Sequence, residues 1–210
     1  MPTILVTGFG PFPGAPFNPT APLVARLARR RRPASAHVQI VAHVFATSYA
    51  AVDRELPGLL KRYRPVALLM FGLATRARTL RIETRARNVL ARTPDVTGRR
   101  PRSRAIVAGG PPAIALRMPA RRMLAAARHA RVPAALSRDA GRYLCNYLYW
   151  RAAEAAAAKG GPRLTVFIHV PPVRRRPARH RSGQKRLPTL ADLARAADAL
   201  LYATTTAVRR

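Results

Sequence analysis

One cysteine and eight acidic residues in a chain of 210 set the first limits on what this protein can do. A single thiol excludes an internal disulfide, and with few other soft ligands it argues against a structural zinc site, so no metal is expected. A reducing, cytoplasmic setting suits such a chain. Acids are scarce enough that each carboxylate is worth locating. Lysine is nearly missing too: only Lys61, Lys159 and Lys185 contribute to the 39 basic residues, so a net charge of +31 is carried almost wholly by arginine. Arginine, alanine and proline in excess also follow from a GC-rich coding sequence, so the bias alone names no function. A field of this size attracts polyanions, and nucleic acid is expected as a non-specific electrostatic partner. The basic runs lack interleaved aromatics and any nucleic-acid motif. No stretch is long and apolar enough to span a bilayer, residues 1–8 lack a basic leader, and no membrane association is expected. Solenoid repeats are absent.

What is present is strong hydrophobic patterning. Residues 3–7 are a short apolar, β-branched run ending in Gly8-Phe9-Gly10-Pro11-Phe12-Pro13-Gly14, which reads as a buried strand entering a glycine and proline loop. Prolines and phenylalanines there would obstruct the close backbone approach of a pyrophosphate, so a dinucleotide site is not expected. The spacing predicts helices over 19–32, 49–63, 119–130 and 190–208, and strands over 38–45, 66–71, 106–108, 134–136 and 164–168. Residues 99–104 and 172–188 read as basic loops. Strands alternating with helices predict one α/β domain over residues 1–210, with a mainly parallel sheet covered on both faces. Sites in such sheets gather beyond the carboxyl ends of the strands, which directs attention to the loops after Thr7, Phe71 and His169.

The only cysteine, Cys145, falls near a predicted helix start. Ser137 or Asp139 can serve as N-cap, Gly141 supplies turn freedom, and Tyr143, Leu144, Tyr147 and Leu148 recur at helical spacing. In the first turn or two, the positive end of the helix dipole and unpaired amides favour thiolate. A buried, inert thiol is the alternative, since free cysteine is among the most buried residue types. Glu83, between Arg81 and Arg85, reads by itself as an ion-paired carboxylate. His169 ends the apolar strand over 164–168, a position that His37, His43, His129 and His180 lack.

Taken together, separated segments resemble the pyroglutamyl peptidase I family, also called pyrrolidone-carboxylate peptidases. They are Thr7-Gly8-Phe9-Gly10-Pro11-Phe12 with Asn18-Pro19; Glu83, Ala86 and Asn88; Ala91-Arg92-Thr93-Pro94-Asp95 with Gly98; Ser137-Arg138-Asp139-Ala140-Gly141-Arg142-Tyr143-Leu144-Cys145-Asn146; and Phe167-Ile168-His169-Val170-Pro171. The resemblance implies a single three-layer α/β/α domain with a mainly parallel, mixed central sheet, no metal or cofactor, and frequent assembly as a homotetramer. It implies a catalytic Glu83, Cys145 and His169, acting as a cysteine exopeptidase on peptides blocked by N-terminal L-pyroglutamate. Phe9, Phe12 and Leu73 fall where the family lines the lactam pocket, and Arg92 falls in a segment near the site. Amide hydrolysis by a thiolate needs these residue types: a nucleophile, an imidazole to protonate the leaving amine, and a group fixing its tautomer. The chain departs from the family at Leu73-Ala74-Thr75-Arg76-Ala77, Thr84, Leu90, Val96 and residues 172–176. Two other classes stay open on sequence alone: a binding module for polyanions that kept the fold, and a thiol amidase for another small lactam or amide.

Overall fold

The computed structural model describes residues 1–29, 37–115, 118–174 and 187–209. The end of the expected helix over 19–32 therefore lies outside the described residues, as does most of the expected basic loop at 172–188. Strands β1 (Thr3–Phe9), β2 (Gln39–Phe45), β3 (Ala67–Leu73), β4 (Leu80–Glu83), β7 (Ala134–Ser137) and β8 (Leu164–Val170) form a six-stranded sheet in the order β2-β1-β3-β8-β4-β7, while β5 (Arg85–Arg87) and β6 (Ala113–Ala115) pair separately. Every pairing in the large sheet is parallel except β4 with β8. The mixed, mainly parallel sheet is as expected.

Alternation along the strands explains why the helices among the described residues cover both faces. Ile4 and Val6 of β1, Leu69 and Phe71 of β3, and Val166 and Ile168 of β8 join one apolar cluster with α1 (Thr20–Arg29), α3 (Ala120–His129) and α5 (Leu190–Val208). Leu5, Leu68, Met70 and Phe167 point the other way, into a second cluster with α2 (Tyr49–Tyr63) and α4 (Leu144–Ala157). Strands buried on both faces read as unbroken apolar runs, which is why β1, β3 and β8 stand out in the sequence.

Several expectations are corrected. Residues 106–108 are not a strand: Ile106 and Val107 donate their backbone N–H groups to Asn88 Oδ1 at 2.8 and 2.9 Å, so this backbone is bonded to a side chain instead of a ladder. Strands β4, β5 and β6 were not anticipated. Neither Ser137 nor Asp139 caps the cysteine helix, whose N-cap is Tyr143, with no side-chain cap. Those two residues instead build their own turn, with Asp139 N–H on Ser137 Oγ at 3.3 Å and Gly141 N–H on Asp139 Oδ1 at 3.0 Å. Gly141 does take the left-handed conformation, at φ 81.

Candidate active site

His169 is the penultimate residue of β8, and strand alternation turns it to the same face as Phe167, toward α4. On β4, Ile82 faces the first cluster, so Arg81 and Glu83 face α4 as well. The antiparallel register sets Arg81 opposite His169 and Glu83 opposite Phe167. Glu83 is therefore one diagonal step from His169, and its Oε1 meets His169 Nδ1 at 2.8 Å. Both are buried, Glu83 completely. Glu83 Oε2 has no hydrogen-bond partner among the described residues, and the Glu83 carbonyl accepts from Tyr149 of α4 at 2.6 Å.

Cys145 is the second residue of α4, in its first turn as expected, and it is partly exposed rather than sealed in the core. The amides of a first helical turn have no intrahelical acceptor, and here no side chain from the N-cap takes them. The sulfur rests against β3: a Cβ placed on Gly72 would come within 2.6 Å of Cys145 Sγ and 2.9 Å of the Phe167 ring. Gly72 pairs with His169 in the parallel register, so one rung of the sheet carries the space for the sulfur and the imidazole beside it.

Burial by itself would disfavour the imidazolium. The negative charge and hydrogen bonding of Cys145, followed by those of Glu83, outweigh it and raise the His169 pKa from 6.5 to about 9. With Nδ1 engaged by Glu83, Nε2 is the ring nitrogen left for the sulfur. The arrangement thus favours an imidazolium beside the sulfur, with a buried carboxylate fixing the ring.

Two asparagines and one aspartate brace this geometry. Asn146, next to the cysteine, donates to the carbonyls of Arg87 and Val89 at 2.7 and 3.1 Å and accepts from Arg87 N–H at 2.9 Å, which ties β5 to the cysteine helix. Asn88 holds residues 106–107. Asp95 accepts from the N–H of Tyr49 at the start of α2, and from Thr97 and Arg99, so it closes its own turn and fastens it to a helix end. The motif drew attention to these residues, but their clamping roles needed the fold.

The other expected site residues are spread more widely. Leu73 follows Gly72 and is half-buried. Arg92 is exposed, one residue beyond Ala91, whose N–H bonds the Arg142 carbonyl at 2.6 Å. Phe9 is 2% exposed and packs on Phe45, and Phe12 is partly buried in a bridge to Ala15. Gly72 was not singled out from sequence as a site residue; a glycine closing an otherwise apolar strand was the available signal. Among the described residues, no group of three His, Cys, Asp or Glu side chains is placed to hold a metal ion, and no helix is long and apolar enough to cross a membrane.

A thiol at a helix start, an imidazole and a buried carboxylate on this fold define a cysteine-type hydrolase. The pyroglutamyl peptidase family model matches residues 2–210, and the chain belongs to that family. It is 37% identical over 172 residues to pyrrolidone-carboxylate peptidase 1 of Ralstonia nicotianae, covering 81% of this chain and 79% of that one. It is 32% identical over 169 residues to the pyrrolidone-carboxylate peptidase of Pyrococcus furiosus, covering 80% of each. The solved pyrrolidone carboxyl peptidase from Thermococcus litoralis superimposes with a TM-score of 0.88 at 26% identity, over 100% of this chain and 96% of that one. The enzyme from Fervidobacterium islandicum gives 0.86 at 26% identity, over 98% and 99%. These likenesses favour the hydrolase over a polyanion-binding module.

Proposed function

We propose that this chain hydrolyses the amide bond after an N-terminal L-pyroglutamyl residue of peptides, releasing the cyclic residue, and that Cys145, His169 and Glu83 carry the reaction. The observation that supports it most is the Glu83–His169 contact of 2.8 Å beside a partly exposed thiol at a helix start. Cys145 Sγ attacks the amide carbonyl, and the N–H groups of the first turn of α4 receive the oxyanion. His169 then gives its proton to the leaving amine, and Glu83 holds Nδ1–H so that Nε2 faces the chemistry. Water hydrolyses the resulting acyl-enzyme and restores the thiol. The pyroglutamyl lactam is neutral, so its pocket needs apolar walls rather than carboxylates; Phe9, Phe12 and Leu73 are the proposed walls, and Arg92 assists near the scissile bond.

The whole chain acts as one domain in this reading, in a reducing cytoplasm that preserves the thiol, with assembly into the family tetramer and only salt-sensitive, non-specific attraction to nucleic acid. A fluorogenic pyroglutamyl amide tests the activity. Pure, reduced protein is expected to turn it over, to lose activity on alkylation, and to lose it in Cys145→Ser. No turnover, or turnover untouched by that substitution, refutes the assignment. A panel of other small lactam amides separates this substrate from the thiol-amidase alternative.

A further inference from the structure

Two arginines border the proposed catalytic residues without a task in the mechanism. Arg81 stands directly opposite His169 in the β4–β8 register, on the same face of the sheet, with its side chain exposed. It makes no ion pair among the described residues. Arg142 lies three residues before Cys145, also exposed, with its carbonyl fixed by Ala91 N–H at 2.6 Å. Asp139 feels the charge of Arg142, but its carboxylate is already bonded to Arg87 at 3.0 Å. Of the other acids, Asp53, Glu55, Asp95, Glu154 and Asp192 each accept from groups away from this cleft, and Asp198 is buried on α5.

The proposed reaction says which part of a substrate these cations meet. His169 must face the amine being expelled, so a residue beside His169 flanks the released peptide and not the lactam. The lactam is neutral and the blocked N-terminus carries no ammonium, so charge discrimination can act only on the released part. Resting on the proposed function, we infer that the site prefers peptides with Asp or Glu in the first two positions after the pyroglutamyl residue, attracted by Arg81 beside the acid and Arg142 beside the nucleophile. Both are specificity determinants through charge, and neither takes part in bond breaking.

The test uses three C-terminally amidated peptides, pGlu-Asp-Asp, pGlu-Ala-Ala and pGlu-Lys-Lys, so that no terminal carboxylate masks the comparison. At about 20 mM salt, kcat/KM is expected to fall in that order, with an acidic-to-basic ratio of about tenfold or more, and the ratio should shrink to a few-fold at about 500 mM as exposed charges are screened. Arg81→Gln and Arg142→Gln should each lower the low-salt ratio about threefold, whereas Arg81→Lys should keep it, because the effect needs charge and not a fork of donors. Cleavage of pGlu-Ala-Ala without discrimination among the three, or a ratio unmoved in both glutamine variants, overturns this inference while leaving the proposed function intact. No cleavage of pGlu-Ala-Ala overturns both.

Discussion

At the scale of single residues, the proposed mechanism makes the His169 imidazolium the group that sets the working pH range. Its pKa is raised to about 9 against an ordinary 6.5 by the adjacent negative groups despite burial. The stabilisation that this protonation gives the fold is complete below about pH 6.5 and is lost as pH rises through about 9. The alkaline limb of kcat/KM is expected near pH 9 on the same grounds, read as a property of the coupled imidazolium and thiolate. Glu83→Gln should shift that limb to lower pH, and a pH–rate profile of both proteins checks it; an unmoved limb would show that Glu83 does not set the charge on the ring. Gly72 offers a sharper steric test. A methyl group there would lie 2.6 Å from Cys145 Sγ, so Gly72→Ala should displace the sulfur. A fall in kcat of about a hundredfold with slower alkylation is expected, since small misplacements of reacting groups cost on that order. The overpacking should also cost about 1–3 kcal/mol in a denaturant titration.

At the scale of elements, the bracing of α4 predicts how activity and folding are linked. Asn146→Ala leaves the Arg87 N–H and the Arg87 and Val89 carbonyls without their partner and frees β5 from the cysteine helix. A loss of about 2–3 kcal/mol by chemical denaturation, with a lower kcat in the folded fraction, is the expected outcome. Elements also show what was legible beforehand. Helices α2 and α5 match their expected bounds of 49–63 and 190–208, because apolar stripe and flanking signals agree; α5 opens on a capping box between Thr189 and Asp192. The start of α4 was misplaced because a Ser–Asp pair that folds its own turn looks, in sequence, the same as a helix cap. Strand β4 is hidden by the arginine-dense segment around it, although Leu80-Arg81-Ile82 carries the alternation of a half-buried strand. The proposed site was legible through the family pattern, which paired Glu83, Cys145 and His169 across the chain. Gly72 was not, because the neighbour that gives it meaning comes from another layer of the fold.

At the scale of the whole molecule, charge is the dominant global term. With 39 basic against eight acidic residues, self-repulsion opposes the compact state. Tm is expected to rise by a few degrees between about 20 mM and about 300 mM NaCl, measured by differential scanning fluorimetry, as screening relieves that repulsion. A Tm that stays flat or falls would mean that local ion pairs, such as Arg151 with Glu154 at 2.9 Å, outweigh the net field.

The single antiparallel pairing of the large sheet also governs which length changes the gene can tolerate. Because β4 runs against β8, Arg81 stands at the level of His169 and Glu83 two residues deeper. Residues 74–79, a connection at the rim, can gain or lose positions as long as β4 keeps its register. Within Leu80–Glu83, inserting or deleting one codon would turn the carboxylate to the α1, α3 and α5 face and swing an apolar side chain toward the imidazole. Natural variants of this chain should therefore show indels up to the edge of β4 and none inside it.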